Sequence, residues 1–343
     1  MNRIFKNIVG IVLLFASVVY VAQAGNPKRT GTAGAQELLI PVGAKSLALG
    51  GANIANITGA DAMYWNPAGL ARTEAGTEVL FSQMNYIADI GVSYGAVNIN
   101  AGDIGFFGFS VKSLGFGEIP RTTEDFPDGT GELFSPTFVV GSASYSKLLN
   151  DRVSVGVVFN LISEKIMSTS STGMGIDLGV MYHGLVWSGL NLGIVVKNIG
   201  PNMSFDGSNL YRTADVATAL RDAQFYKVET ESFELPTDME IGLSYTHKLS
   251  DLNVVTISSD FQNNNYLQDE YKFSGEYGYD NMIFLRGGYV ISPKTEADAY
   301  IYDYSFGAGV NFDLGGVGFR FDYAFRNVKY FQANNVIAVS LAF

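Results

Sequence analysis

The sequence predicts an all-β fold: a transmembrane antiparallel β-barrel of about fourteen strands, with an N-terminal hatch inside or under it. Three observations lead there. Charged residues make up 16% of the 343-residue chain, against roughly 25% in an ordinary soluble domain, while glycine is abundant at 39 residues. Beyond residue 24, no run approaches the ~18 consecutive apolar residues of a spanning helix. From about residue 76 to Phe343, apolar residues instead alternate with polar or small ones in stretches of about 9–13 residues, the length of a tilted membrane strand. A closed barrel pairs its backbone groups strand to strand, so it crosses hydrocarbon without a long apolar run. The aromatic content of 13% argues against disorder, and the absence of cysteine excludes disulfides, thiol catalysis and cysteine-ligated metals.

Residues 1–24 read as a secretory signal peptide. Arg3 and Lys6 supply a positive start, Ile8 to Ala22 is apolar apart from Gly10 and Ser17, and Ala22-Gln23-Ala24 has the small-x-small pattern of a cleavage site. A single N-terminal anchor is the alternative. Removal would leave 20 basic against 33 acidic residues, a net charge of −13 compared with −11 for the whole chain. That balance disfavours phosphate contacts, so no nucleic-acid partner is expected. Residues 25–75, rich in Ala, Gly and Asn with helix-like fragments, form the expected hatch, and 76–343 the barrel.

Alternation places the strands at approximately 76–86, 88–100, 103–114, 137–148, 152–163, 173–184, 187–199, 238–248, 252–262, 267–277, 281–291, 300–313, 316–327 and 332–343. Even-numbered strands end in short turns such as Ala101-Gly102, Tyr279-Asp280 and Gly315. Longer connections, 115–136, 164–172, 200–237 and 292–299, fall at the other end, as in bacterial outer-membrane barrels. Phe319, Phe321, Tyr323 and Phe325 alternate with Arg320, Asp322, Ala324 and Arg326, and Met239, Ile241, Leu243 and Tyr245 with Glu240, Gly242, Ser244 and Thr246. A lysine or arginine at mid-depth on the lipid face costs roughly 2–4 kcal/mol. Asp177, Glu240, Asp260, Glu276, Arg286, Arg320, Asp322 and Arg326 are therefore expected to point into the lumen, either pairing with one another or lining a transport route. The many lumen-side glycines point to another segment lying close inside the barrel.

Ahead of the first strand the chain reads Thr30-Gly31-Thr32-Ala33-Gly34-Ala35, then Leu39-Ile40-Pro41-Val42-Gly43-Ala44, and later Trp65-Asn66-Pro67-Ala68-Gly69-Leu70. The last segment resembles the hatch of the FadL-like outer-membrane proteins. The earlier stretches, with Tyr86-Ile87-Ala88-Asp89 and Ile119-Pro120-Arg121-Thr122-Thr123-Glu124, resemble the PorV/PorQ branch of that superfamily. The resemblance implies a fourteen-stranded barrel in the outer membrane of a Gram-negative bacterium, embedded in its lipid. For the PorV/PorQ branch it implies work in type IX secretion, with a translocon or secreted proteins as partners. For other FadL relatives it implies uptake of fatty acids or other hydrophobic small molecules. Independently of the likeness, Asn66 is a good N-cap and Pro67 a good first helical residue, and Trp65 is expected to anchor their turn against the wall.

No enzyme is expected, and no cofactor or metal. The two histidines do not form a catalytic pair: His183 shares a face with Asp177 but stands about 20 Å along the strand from it, and His247 has lipid-face parity. Gly173 to Gly179 misses the spacing of a nucleotide fingerprint. The acids of the 115–136 loop (Glu118, Glu124, Asp125, Asp128, Glu132) read as solvated, with weak calcium binding the alternative. Thr213 to Phe225 fits a short amphipathic helix that caps the barrel mouth or docks a partner. Because the lumen face is rich in Gly, Ser, Asp, Glu and Arg and poor in large apolar residues, the sequence favours partner binding over uptake.

Ile337, Val339, Leu341 and Phe343 form an alternating apolar terminus of the kind barrel-assembly machinery reads. Deleting Phe343 should lower the heat-modifiable folded form in outer-membrane fractions, and assembly equal to wild type would rule that reading out.

Overall fold

A computed structural model describes residue 29 and residues 31–214, 224–293 and 300–343; the expected signal peptide lies outside them. Fourteen long strands form one antiparallel sheet: β1 Thr77–Asn85, β2 Gly91–Asn100, β3 Phe106–Gly115, β4 Thr137–Leu148, β5 Val153–Ile166, β6 Thr169–His183, β7 Leu190–Ile199, β8 Asp238–Lys248, β9 Asn253–Asn264, β10 Glu270–Tyr279, β11 Ile283–Ile291, β12 Tyr302–Leu314, β13 Val317–Val328 and β14 Asn334–Ala342. Each pairs with its sequence neighbours, and β1 pairs with β14 from Glu78↔Ala342 to Asn85↔Asn335, closing the barrel. Among the described residues no helix is long and apolar enough to cross a membrane. Period-2 alternation is visible in burial: Phe81, Leu161, Leu178 and Ile337 point out and are exposed, whereas Leu80, Ile162, Asp177 and Ala338 point in and are buried.

Two expected connections differ. The outer loop at 164–172 is mostly strand, because β5 and β6 keep pairing up to Ile166↔Thr169 and turn through Met167, whose φ is 55°. The proposed helix over Thr213–Phe225 lies largely outside the described residues. Its flanks are not helical: Tyr211–Ala214 pairs with Gln224–Lys227 as a hairpin, cross-strand bonding having won over the short apolar periodicity. In the 115–136 loop, Ile119–Pro120 pairs with Leu133–Phe134, and Arg121 forms a 2.5 Å ion pair with Glu132.

The segment before β1 fills the barrel. It contains a 3-10 turn at Gln36–Leu39, α1 at Ala44–Ala48, α2 at Ala62–Trp65 and a 3-10 helix at Pro67–Arg72. Asn66 caps the last of these: its side chain accepts from the Ala68 amide at 3.2 Å and donates to the Ile54 carbonyl at 2.9 Å, with Pro67 as the first residue of the turn. Ala68, Gly69 and Leu70 are all buried. Trp65 ties the hatch to itself, donating from Nε1 to the Val42 carbonyl at 3.0 Å and packing against Gly51, and its ring also faces Lys197 of the wall. Arg72 reaches the short-turn end, where it donates to the Asp151 carbonyl at 2.9 Å and to Ser154 at 3.2 Å.

Lumen-facing glycines make room for this segment. A β-carbon at Gly156 on β5 would overlap the backbone of Pro67 and Ala68. One at Gly193 on β7 would meet Ile54 and Ala55, and one at Gly288 on β11 would meet Leu49 and Gly50. Three strands thus accept hatch backbone directly against sheet backbone, and the hatch cannot shift without losing these seats. Gly156→Ala or Gly193→Ala should cost about 1–3 kcal/mol through overpacking and make the hatch protease-sensitive in a barrel that still folds. Gly95→Ala and Gly275→Ala, where the added atom meets open space, should behave as wild type. Equal protease resistance in all four variants would disprove tight seating.

Candidate functional site: a cavity between hatch and barrel wall

The lumen charges belong to three groups. At the short-turn half, Arg286 pairs with Glu276 at 2.5 Å and Asp322 at 2.6 Å, and Arg320 pairs with Asp322 at 2.9 Å and with Asp61 of the hatch. Glu78 lies 3.8 Å from Arg320 and accepts from the Ala60 amide at 3.2 Å. On β6, Asp177 accepts from the Asn198 amide at 2.7 Å and from Asn160 at 2.8 Å. Asp260 accepts from the Ile54 amide at 3.1 Å. The third group surrounds Glu240, which pairs with Lys197 at 2.5 Å and Lys272 at 3.2 Å. Arg326, stacked 3.9 Å over the Tyr302 ring and bonded to Asn334, lines the same cavity as the Glu240 group.

Above the Glu240 group lies a cavity of about 320 Å³. Its wall residues, among them Asp238, Asn264, Glu270 and Tyr302, stand at strand ends opposite the short turns, so the cavity occupies the long-loop half of the barrel. The hatch closes its inner side with Leu38, Leu39, Ile40, Pro41, Leu47, Tyr64 and Trp65. Tyr64 and Trp65 meet edge to face at 5.1 Å, and Lys197 sits 5.3 and 5.5 Å from their rings. The Tyr64 hydroxyl donates to the Leu38 carbonyl at 3.1 Å, and burial pushes its pKa up. Across the space, the hydroxyls of Tyr86 and Tyr302 bond at 3.0 Å. Trp65, Tyr64 and Tyr302 thus present aromatic surface with their polar ends already engaged.

This corrects the expectation of a lumen poor in large apolar residues. The wall itself carries inward apolar residues, among them Leu80, Met84, Phe106, Ile162 and Met181, and a second layer that the strands enclose adds the hatch side of the cavity. The sequence reading also passed over Lys112, Lys197 and Lys272, which lumen parity would have found, and Asp61, which lies in the hatch and has no strand parity to reveal it. His183 and Asp177 are not brought together. Val339 and Phe343 face outward at the closing seam, with Leu341 half-buried, and the Phe343 amide donates to the Thr77 carbonyl at 2.8 Å. Among the described residues, no group of three or more His, Cys, Asp or Glu side chains could hold a metal ion.

No family model matches the chain, and no curated protein matches it in sequence. Solved structures do match in fold. The CymD monoaromatic hydrocarbon channel superposes with a TM-score of 0.53 at 17% identity, over 89% of this chain and 98% of that one. The toluene transporter TbuX of Ralstonia pickettii gives 0.52 at 16%, over 88% and 98%, and the toluene transporter TodX of Pseudomonas putida 0.53 at 15%, over 86% and 96%. The chain therefore has the fold of these hydrocarbon channels along nearly their whole length.

Proposed function

We propose that this protein is an outer-membrane channel for small hydrophobic molecules, exported by removal of residues 1–24, with 25–75 as its hatch and 76–343 as its barrel. The cavity in contact with Tyr64 and Trp65 would be the binding station. One observation carries the reading: a pocket of about 320 Å³ inside a membrane barrel, aromatic and aliphatic on its hatch side and mixed with charged residues such as Glu240, Lys272 and Arg326 on its wall side. Small-molecule sites span roughly 300–1,000 Å³, and an apolar cavity of about 150 Å³ suffices for benzene. A one-ring or two-ring hydrocarbon therefore fits. The fold shared with hydrocarbon channels supports the same reading and favours it over long-chain fatty acids as the cargo.

The secretion-associated reading rests on Gly31–Ala44 and Ile119–Glu124. Neither the barrel fold nor the cavity adds to it, so it stands second.

The two tryptophans make a direct test available. Trp65 lines the cavity, while Trp187 is exposed in the turn between β6 and β7. In a Trp187→Phe background, toluene or naphthalene should change Trp65 fluorescence saturably. Leu39→Glu and Leu267→Glu, which place a carboxylate on the half-buried lining, should each weaken binding about tenfold or more, the scale of one lost leucine contact. If no hydrocarbon binds, while the purified barrel captures proteins carrying type IX secretion signals, the ranking of the two readings reverses.

A further inference from the structure

Glu37, in the 3-10 turn Gln36–Leu39, is 1% exposed, and Glu164, on the lumen face of β5, is 4% exposed. Their carboxyl groups lie within hydrogen-bond reach of each other. Glu164 also lies close to the Ala35 amide and Glu37 close to its own backbone amide, and neither buried oxygen of Glu37 makes a well-formed hydrogen bond to a donor. Ala35 and Leu38 beside Glu37, and Ile162 beside Glu164, belong to a buried apolar cluster with Val140, Met203 and Leu235. Two carboxylates in contact cannot both stay ionised in such surroundings.

The facing charges decide what lies between them. Lys112 of β3 is the cation that faces Glu37; its ammonium donates to the carbonyls of Leu38 at 3.5 Å and Ile40 at 3.2 Å. Asp177 of β6 and Lys197 of β7 in turn face Lys112. Ser171 of β6, opposite Glu164 in register, offers a buried hydroxyl with no partner. One proton shared by the two carboxyls leaves them a single negative charge, and Lys112, which Asp177 also faces, is the cation beside Glu37.

We infer that Glu37 and Glu164 share a single proton, and that this acid pair latches the hatch to β5. Each carboxyl then donates or accepts across one bond, and release of the proton to water replaces that bond by repulsion. Burial holds the Glu37 carboxyl above the ordinary carboxylate range. The sign follows: the latch is complete at low pH and is lost as pH rises through the pair's ionisation. Gln36, Leu38 and Leu39 line the cavity, so loosening this turn loosens the cavity wall.

Amide hydrogen exchange in the full-length barrel tests the latch without any ligand, so it succeeds or fails independently of the channel reading. After correction for intrinsic exchange, the amides of residues 35–40 should exchange at least about tenfold faster at about pH 9 than at about pH 5. In Glu37→Gln, whose amide can donate to Glu164 without a titrating proton, that step should vanish. Glu164→Gln should remove it equally, and serves if the first variant does not fold. A wild-type turn with no step, or a step of equal size in a folded variant, overturns the inference.

Discussion

Across the seam where β1 meets β14, Glu78 faces Ala342 and Asn85 faces Asn335, and the rest of the molecule depends on that closure. In hydrocarbon an unpaired amide costs several kcal/mol, so a fourteen-stranded sheet is tolerable there only with no free edge. Once closed, the sheet has a fixed inside. Every strand must send alternate residues into it, and a one-residue slip in any strand would turn its charges toward lipid. The closed wall also encloses a volume too wide for its own side chains to fill. That volume is where the hatch resides.

The hatch is held by two kinds of contact with different physical content. Backbone-to-backbone seating on Gly156, Gly193 and Gly288 fixes its position by exclusion. The buried charges fix its register by pairing: Asp61 with Arg320, the Ile54 amide with Asp260, the Ala60 amide with Glu78. Buried ion pairs repay little of their desolvation cost, so their contribution here is specificity of placement more than stability. Removing one partner would strand a charge in the lumen, which makes the arrangement all-or-none. The result is a plug whose short-turn half is a salt-bridged cross-brace and whose long-loop half is an aromatic surface.

That division gives the interior its functional polarity. The wall combines inward charges with apolar residues such as Leu80, Met84 and Met181, so that it can both pair with the hatch and pack against it. Some charged groups anchor the hatch, as Arg320 does with Asp61, while Glu240 is neutralised within the wall by Lys197 and Lys272 at the edge of the cavity. Tyr64 and Trp65 spend their polar ends on the carbonyls of Leu38 and Val42 and turn their rings to the space. The hatch side of the lining is therefore apolar, and the charged residues line the wall side.

Alternation decided the strands because lipid and lumen impose opposite chemistries on neighbouring residues: all fourteen lie within a few residues of where Phe319–Arg326 and its like place them, and the inward direction of Asp177, Glu240 and Arg286 follows from the same rule. Asn66-Pro67 announced its turn because capping is local. Extension of β5 and β6 through Met167, and the hairpin at Tyr211–Ala214 and Gln224–Lys227, were not legible, since strand segments beyond the membrane have no lipid face to impose alternation on their sequence. The cavity was legible least of all. It is made by residues 36–65 meeting strands that begin two hundred residues later, and which hatch side chains face the wall depends on how the plug seats. Sequence alone determined the barrel, its inside and its outside, through a periodicity that solvent enforces residue by residue; only the tertiary structure decided what the inside contains, because that rests on contacts between layers that share no period.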